Sequence, residues 1–392
     1  MAEVLFYVQH LLGIGHLRRA AAVARALDAA GLDTLLVSGG LPVPGLDIGG
    51  ARLAQLPPLK SRDASFSALV DGAGRPLDEA LQKARRDQLL ALYREARPGV
   101  VMIEQFPFGR RQLRFELLPL IKAVRTERRR PALLASLRDI VNRPRSAEKA
   151  AWMLEVATRF FDLVLVHGDP ALVTLEQSFP EAAALAARLR YTGYVVSEPP
   201  AAAAATGSGG GELLVSTGGG AVAEPLVAAA LAARPLSPLA DVPWRVLVGE
   251  NMPEPAFQGF RKAAPAGITI ERSRPDFTAL LARCRLSVSQ AGYNTVLEVL
   301  RAGPAAVLVP FVGAGECEQS LRADLLAARG LVSVVPEAGL DGPALARGIA
   351  AALEQAPRRP PLALETGGAA KTAEIVRAQL AIVAGQGMTE SA

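Results

Sequence analysis

The sequence offers little for disulfide or metal chemistry. It holds two cysteines, Cys284 and Cys317, and three histidines in 392 residues. Two thiols cannot build a disulfide framework, and so few histidines give no structural zinc pattern. The longest apolar stretch, Ala305 to Gly315, runs 11 residues and is broken by Pro310, whereas a membrane-spanning helix needs about 20. The start, Met-Ala-Glu and then an apolar run to Val8, lacks the basic region and cleavage site of a signal peptide, so a cytoplasmic location is expected. There is no Gly-x-Gly-x-x-Gly, no Walker A pattern and no Asp-x-Asp. Their absence argues against a dinucleotide-dependent oxidoreductase, a P-loop nucleotidase and a metal-held nucleotide sugar.

Half the residues are apolar and 21% are charged, which excludes a disordered chain and points to two or three globular domains. The net charge of +5 is carried mostly by Arg and implies no nucleic-acid partner by itself. It is unevenly spread. Between Arg75 and Arg145 lie 15 Arg and 2 Lys against 8 acids, a local net of +9. That asymmetry suggests something anionic nearby, a phosphorylated acceptor or an acidic membrane surface. The plainer alternative is a set of solvated helix faces, with Arg85, Arg86, Arg94 and Arg97 among good helix formers.

Short apolar strands alternate with helical patterns throughout. Strands are expected at Val4–Val8, Thr34–Val37, Val100–Ile103, Ala132–Ser136, Leu163–Val166 and Tyr191–Val196, with a helix over His16–Ala30. Residues 198–211, EPPAAAAATGSGGG, read as a linker. The alternation then resumes at Leu213–Ser216, Arg245–Val248, Ile268–Ile270, Leu286–Ser289, Ala305–Val309 and Val332–Val335. The organisation is therefore α/β: domain 1–197, linker 198–211, domain 212–368, and a final helix and tail over 369–392. Continuous apolar strands between helices mean parallel sheets covered on both faces, and two such domains place a ligand cleft between them.

Three strand-to-helix turns carry glycine. Leu11–His16 follows the first strand, and its helix start suits an anion; there the macrodipole favours a neutral imidazole, so His16 is a candidate base. Ser216–Gly220, with Thr217, Gly218 and Gly219, allows close approach to phosphate or sugar. Ser289–Glu298, SQAGYNTVLE, turns at Gly292; Asn294 or Thr295 can cap the next helix, and Glu298 lies one turn in, close enough to bond ribose hydroxyls. Pro310–Gln319 is a further glycine-containing loop, with Glu318 and Gln319 placed to meet a sugar.

At these residues the chain resembles the GT-B glycosyltransferases, and among them the family-28 type, which includes the N-acetylglucosaminyltransferase of peptidoglycan lipid-intermediate synthesis. The matching positions are Gly13, Gly15 and His16, then Ser216–Gly220, then Ser289, Ala291, Gly292, Thr295, Glu298, Gly303, Pro304, Val309, Pro310 and Gln319. Three departures stand out. The first loop lacks the full Gly-Gly-Thr-Gly-Gly string, Glu318 stands where the family has Gln, and Arg322 where it has Asn.

The resemblance implies two Rossmann-like domains facing a central cleft, a peripheral place on an anionic membrane, and metal-independent, inverting transfer from a uridine-diphosphate sugar with no other cofactor. The acceptor would be lipid-linked, phosphorylated or a small metabolite. Donor-side residues would be Gly15, Thr217, Gly218, Gly219, Arg274, Phe277, Ala291, Gly292, Asn294, Thr295, Glu298, Glu318 and Gln319. His16 would act as base, with Asp139 orienting it or acting itself and Glu104 the second candidate for that role, and Glu104, His167 and Asp169 would lie on the acceptor side. A nucleotide-sugar hydrolase or epimerase is the alternative on the same fold.

Overall fold

The computed structural model describes residues 2–63, 68–144, 146–196, 211–219, 223–313, 317–358, 360 and 363–389. It divides into two compact units, Met1–Ser197 with Leu364–Ala392, and Glu198–Ala363. The expected linker lies outside the described residues up to 210, as does Gly220.

The first unit is built on a seven-stranded sheet. Its strands are β1 (Val4–Val8), β2 (Thr34–Ser38), β3 (Arg52–Gln55), β6 (Val100–Glu104), β7 (Ala132–Arg138), β8 (Leu163–His167) and β9 (Leu189–Tyr191), with a separate antiparallel hairpin of β4 (Leu59–Ser61) and β5 (Leu69–Asp71). The order is β3-β2-β1-β6-β7-β8-β9, all parallel. Alternation along β1 sends Leu5 and Tyr7 into one buried cluster and Val4, Phe6 and Val8 into another. Both faces are thus covered, which is why these strands read as unbroken apolar runs. The helices are α1 (Gly15–Ala29), α2 (Glu79–Ala96), α3 (Arg114–Thr126) and α4 (Ala147–Phe160). Asp78 and Ser146 cap α2 and α4 by accepting from the N–H groups of Leu81 and Lys149.

The second unit has six parallel strands, β10 (Leu213–Ser216), β11 (Trp244–Val248), β12 (Ile268–Arg272), β13 (Leu286–Gln290), β14 (Ala305–Val309) and β15 (Ser333–Val334). Their order is β12-β11-β10-β13-β14-β15. Helices α5 (Glu224–Ala233), α6 (Glu254–Ala263), α7 (Phe277–Arg283), α8 (Tyr293–Ala302), α9 (Glu318–Ala328) and α10 (Gly342–Gln355) connect them. The last helix, α11 (Gly368–Thr389), belongs to the first unit, where Ala373, Val376 and Val383 join the cluster that holds Val4 and Phe6.

Two expectations need correction, and one strand was not expected at all. The strand expected at Tyr191–Val196 instead spans Leu189–Tyr191, because Gly193 takes φ +82° and turns the chain out of the sheet. Tyr194 and Val195 are still buried, but against the returning C-terminal segment: the Tyr194 N–H donates to the Glu365 carbonyl at 2.6 Å, and Val195 bridges Gly367. Edge strand β3 went unread because its residues are exposed or half-buried and show no apolar run. Arg85 is not on a solvated face. It is fully buried, donating to Glu116, the Gln9 side chain and the Gly39 carbonyl.

Candidate active site

In an open parallel sheet, ligands bind at the carboxyl ends of the strands where the strand order reverses. In the first unit that point lies between β1 and β6. The turn after β1 delivers His16, the second residue of α1, and β6 ends on Glu104. The two meet: His16 Nδ1 lies 2.7 Å from Glu104 Oε1. Arg19, one turn further along α1, donates to the same oxygen. Glu104 is fully buried and Arg19 nearly so, while His16 keeps 14% of its side chain exposed.

The electrostatics follow from this burial. Burial pushes the His16 imidazole down to about 3, and Arg110 and Arg138 push the same way, against the opposing pull of Glu104. Burial works against the Glu104 charge, yet His16, Arg19 and Arg110 outweigh it and bring its carboxyl to about 2. Glu104 is therefore ionised and His16 neutral at neutral pH. A carboxylate can only accept, so Nδ1 carries the proton and Nε2 is left with its lone pair. Among the described residues Nε2 makes no hydrogen bond. Such a pair can act chemically as a base held in one tautomer, with a counter-charge for the imidazolium.

The carboxylate on His16 is thus Glu104, the second of the two candidates, and not Asp139. Asp139 is fully buried; its Oδ1 accepts from the Ile140 N–H at 2.9 Å, and the Tyr194 hydroxyl donates to its Oδ2 at 3.4 Å. His167 is also fully buried, with Nε2 2.8 Å from the Ser136 hydroxyl and Nδ1 2.9 Å from that of Thr192. Burial and Arg19 push it down to about 3. Asp169 closes a turn by accepting from the Ala171 and Glu365 N–H groups. His10, which drew no notice in sequence, is buried at the end of β1 and lowered to about 4 by burial and by Arg110.

The second unit reverses between β10 and β13, and its two glycine turns flank that point. After β10, the Thr217 N–H donates to the Leu247 carbonyl, and its hydroxyl accepts from the Gly249 N–H at 3.3 Å, pinning the turn to the end of β11. Gly218 has φ +60°, a conformation that favours glycine. After β13, Gly292 is the N-cap of α8, with no side-chain cap. The capping expected from Asn294 or Thr295 is absent because both lie inside the first turn, and both are half-buried there. Buried Ala291 and half-buried Glu298 flank this helix start. Arg274 is clamped by Asp276, Nε to Oδ1 and Nη2 to Oδ2 each at 2.7 Å, beside half-buried Phe277.

Two departures from the family pattern prove to be one feature. Glu318 and Arg322, a turn apart on α9, form a buried ion pair at 2.8 Å. The Arg322 Nη1 also donates to the Ala291 carbonyl at 3.0 Å, and the guanidinium lies 5.6 Å from the centre of the Tyr293 ring. The pair braces the turn after β13. Gln319 Oε1 accepts from the Phe311 N–H at 3.1 Å. Among the described residues, no group of three or more His, Cys, Asp and Glu side chains could hold a metal ion, and no helix is long and apolar enough to cross a membrane.

Residues 213–378 match the glycosyltransferase family 28 C-terminal domain. The chain has the fold of the GT-B glycosyltransferases, and its second unit carries the family 28 C-terminal domain. Solved structures share the fold along nearly the whole length. The calicheamicin glycosyltransferase CalG4 is 16% identical, with TM-score 0.62 over 97% of this chain and 98% of that one. The spinosyn rhamnosyltransferase SpnG, complexed with thymidine diphosphate, is 18% identical, with TM-score 0.58 over 100% of both chains. MurG from Acinetobacter baumannii is 16% identical, with TM-score 0.57 over 96% of this chain and 99% of that one. No curated protein matches this chain by sequence.

Proposed function

We propose that this glycosyltransferase moves a sugar from a uridine-diphosphate donor to an acceptor hydroxyl, with His16 as the general base, Glu104 as its positioning carboxylate and no other cofactor. The observation that carries the reading is the His16–Glu104 contact at the strand-order reversal of the first unit. His16 Nε2 takes the hydroxyl proton. The acceptor oxygen forms the new bond to the anomeric carbon as the bond to the diphosphate oxygen breaks, and the nucleoside diphosphate leaves with the electron pair. Attack opposite the leaving group inverts the anomeric centre. Glu104 holds the Nδ1 proton in place and offsets the imidazolium charge.

The donor belongs to the second unit. The uncapped start of α8 and the glycine turn at Gly218 support diphosphate binding through backbone N–H groups. These groups would offset the leaving charge without a metal. Glu298, one turn into α8, would accept from the ribose hydroxyls. The apolar groove between α3 and α4, lined by Phe115, Leu118, Trp152 and Phe160 with Arg114 and Lys122 at hand, supports a peripheral contact with an anionic membrane.

A thermal-shift panel of uridine, thymidine, adenosine and guanosine diphosphates tests the donor. A nucleotide at about 100 times its Kd adds about 2.7 kcal/mol of stability. Uridine diphosphate should give the largest shift. A larger shift from thymidine diphosphate, the ligand of the SpnG complex, would move the base assignment, and no shift from any diphosphate would remove the donor site altogether.

A further inference from the structure

The glycine turn after β10 does not stand alone. Gly218 takes φ +60°, and glycine has more backbone freedom to lose than any other residue. Such a turn offers its N–H groups to an anion efficiently only if something else holds them still; otherwise ordering the turn costs affinity when the ligand arrives. The segment that follows β11, Gly249 to Pro253, lies directly against it. A Cβ on Gly249 would come within 2.3 Å of the Gly218 carbonyl oxygen and 2.8 Å of the Gly219 Cα, so backbone packs on backbone there. The Asn251 side chain donates to the Gly219 carbonyl, and the Gly249 N–H donates to the Thr217 hydroxyl at 3.3 Å. Each of Thr217, Gly218 and Gly219 is thus touched by this segment.

The segment is itself exposed at Glu250, Asn251 and Pro253, and it braces the turn only because it is anchored in its own right. Arg272, the last residue of β12, is the anchor. Its Nη1 donates to the Gly249 and Met252 carbonyls, each at 3.0 Å. Its Nη2 donates to Glu254 Oε2 at 2.5 Å, at the start of α6, and its guanidinium lies 4.1 Å from the centre of the buried Phe257 ring. The Met252 N–H closes the segment by donating to the Gly249 carbonyl at 3.2 Å. A planar guanidinium can fork, pair and stack at once, which suits it to fixing a loop from behind. One side chain thus ties the two ends of the segment, the next helix and an aromatic ring together.

We propose that Arg272 is a positioning residue for the donor diphosphate: it holds the Gly249–Met252 segment, and that segment, through Gly249 and Asn251, holds the glycine turn in shape for phosphate oxygens. This deepens the donor reading and rests on it for the identity of the ligand. Arg272 acts through the segment and not by touching the nucleotide. Its effect therefore falls on the phosphates, which meet the turn, and not on the nucleoside.

The test is the affinity of the full chain for uridine, followed by ligand-observed NMR, and for uridine diphosphate, followed by calorimetry, in wild type, Arg272→Met and Asn251→Ala. In wild type the diphosphate should bind about a hundredfold tighter than the nucleoside, as two charge-assisted hydrogen bonds imply. Each substitution should cut that ratio about tenfold and leave the uridine Kd unchanged. Amide hydrogen exchange across residues 217–219 should accelerate in both variants. A general loss of fold would weaken nucleoside and diphosphate together, so the ratio isolates the positioning role. Asn251→Ala removes no charge, which separates bracing from the loss of a cation, and its exposed site lets it decide even if Arg272→Met does not fold. A wild-type ratio in Asn251→Ala, or uridine weakened as much as the diphosphate in Arg272→Met, overturns the inference and leaves the donor reading intact. Failure of the donor reading shows in wild type itself, as uridine diphosphate binding no better than uridine, and takes this inference with it.

Discussion

The two units put the same topological feature to opposite use. Each is a parallel sheet whose strand order reverses next to its first strand, β1 against β6 and β10 against β13. In the first unit the reversal is filled with buried ionisable side chains, His16, Arg19 and Glu104. In the second it is lined by glycine turns and an uncapped helix start, with its buried ion pair, Glu318 and Arg322, set behind the turn. All three histidines, His10, His16 and His167, lie in the first unit. On the function proposed above, one reversal moves a proton and the other holds a charged phosphate through backbone. Topology fixes where a ligand sits, and side chains decide what happens to it.

The sharpest way to break this contrast is to remove the base. His16→Ala should lower kcat by about 10²–10⁴-fold, the usual contribution of a general base, and Glu104→Gln by at least about tenfold, since the equivalent carboxylate of a serine-protease triad is worth ~10⁴. Steady-state kinetics on both variants checks this; retained turnover in His16→Ala would take the chemistry out of the first unit.

The next effect is structural and lies in the second unit. Glu318→Ala leaves Arg322 charged and buried, which should cost about 3–5 kcal/mol, whereas Glu318→Gln with Arg322→Asn together should cost much less. Denaturant unfolding of wild type, Glu318→Gln, Arg322→Asn and the double variant measures the coupling, and additive losses would show that the pair is not a unit. Smaller again, Glu298→Ala should weaken uridine diphosphate about tenfold, as loss of a charge-assisted hydrogen bond of roughly 1.5 kcal/mol implies.

A separate effect is a pH dependence that should fall mainly on one unit. His10, His16 and His167 titrate at about 4, about 3 and about 3 in the fold, against about 6.5 unfolded. Below pH 6.5 the unfolded chain therefore binds more protons than the folded one, and stability falls as the pH drops. Between pH 7 and pH 5 hydrogen exchange, corrected for its intrinsic rate, should accelerate in the β1, β6 and β8 core. It should change less in the β10 and β13 core, which has no histidine. Equal acceleration in both would contradict the burial of these rings.

Much of the scaffold could be read from the chain because strands covered on both faces leave unbroken apolar runs, as at Val4–Val8 and Ala305–Val309. Edge strand Arg52–Gln55 leaves no such trace. His16 was legible as the polar residue of a glycine turn. Its partner was legible only as one of two, because Glu104 and Asp139 both follow apolar strand runs, and only the strand order tells which one lies beside the first turn. The placement of Arg110 over the end of β1 gave no signal, since it depends on the left-handed backbone of the turn after β6. Glu318 and Arg322 were read as separate oddities, although their spacing of four is what brings side chains together on a helix.

The division of labour is tested most directly by calorimetric titration of uridine diphosphate into His16→Ala. The account predicts the wild-type Kd in a chain that no longer turns over. A Kd weakened in step with activity would mean that the first unit binds the donor, and the contrast between the two reversals would be lost.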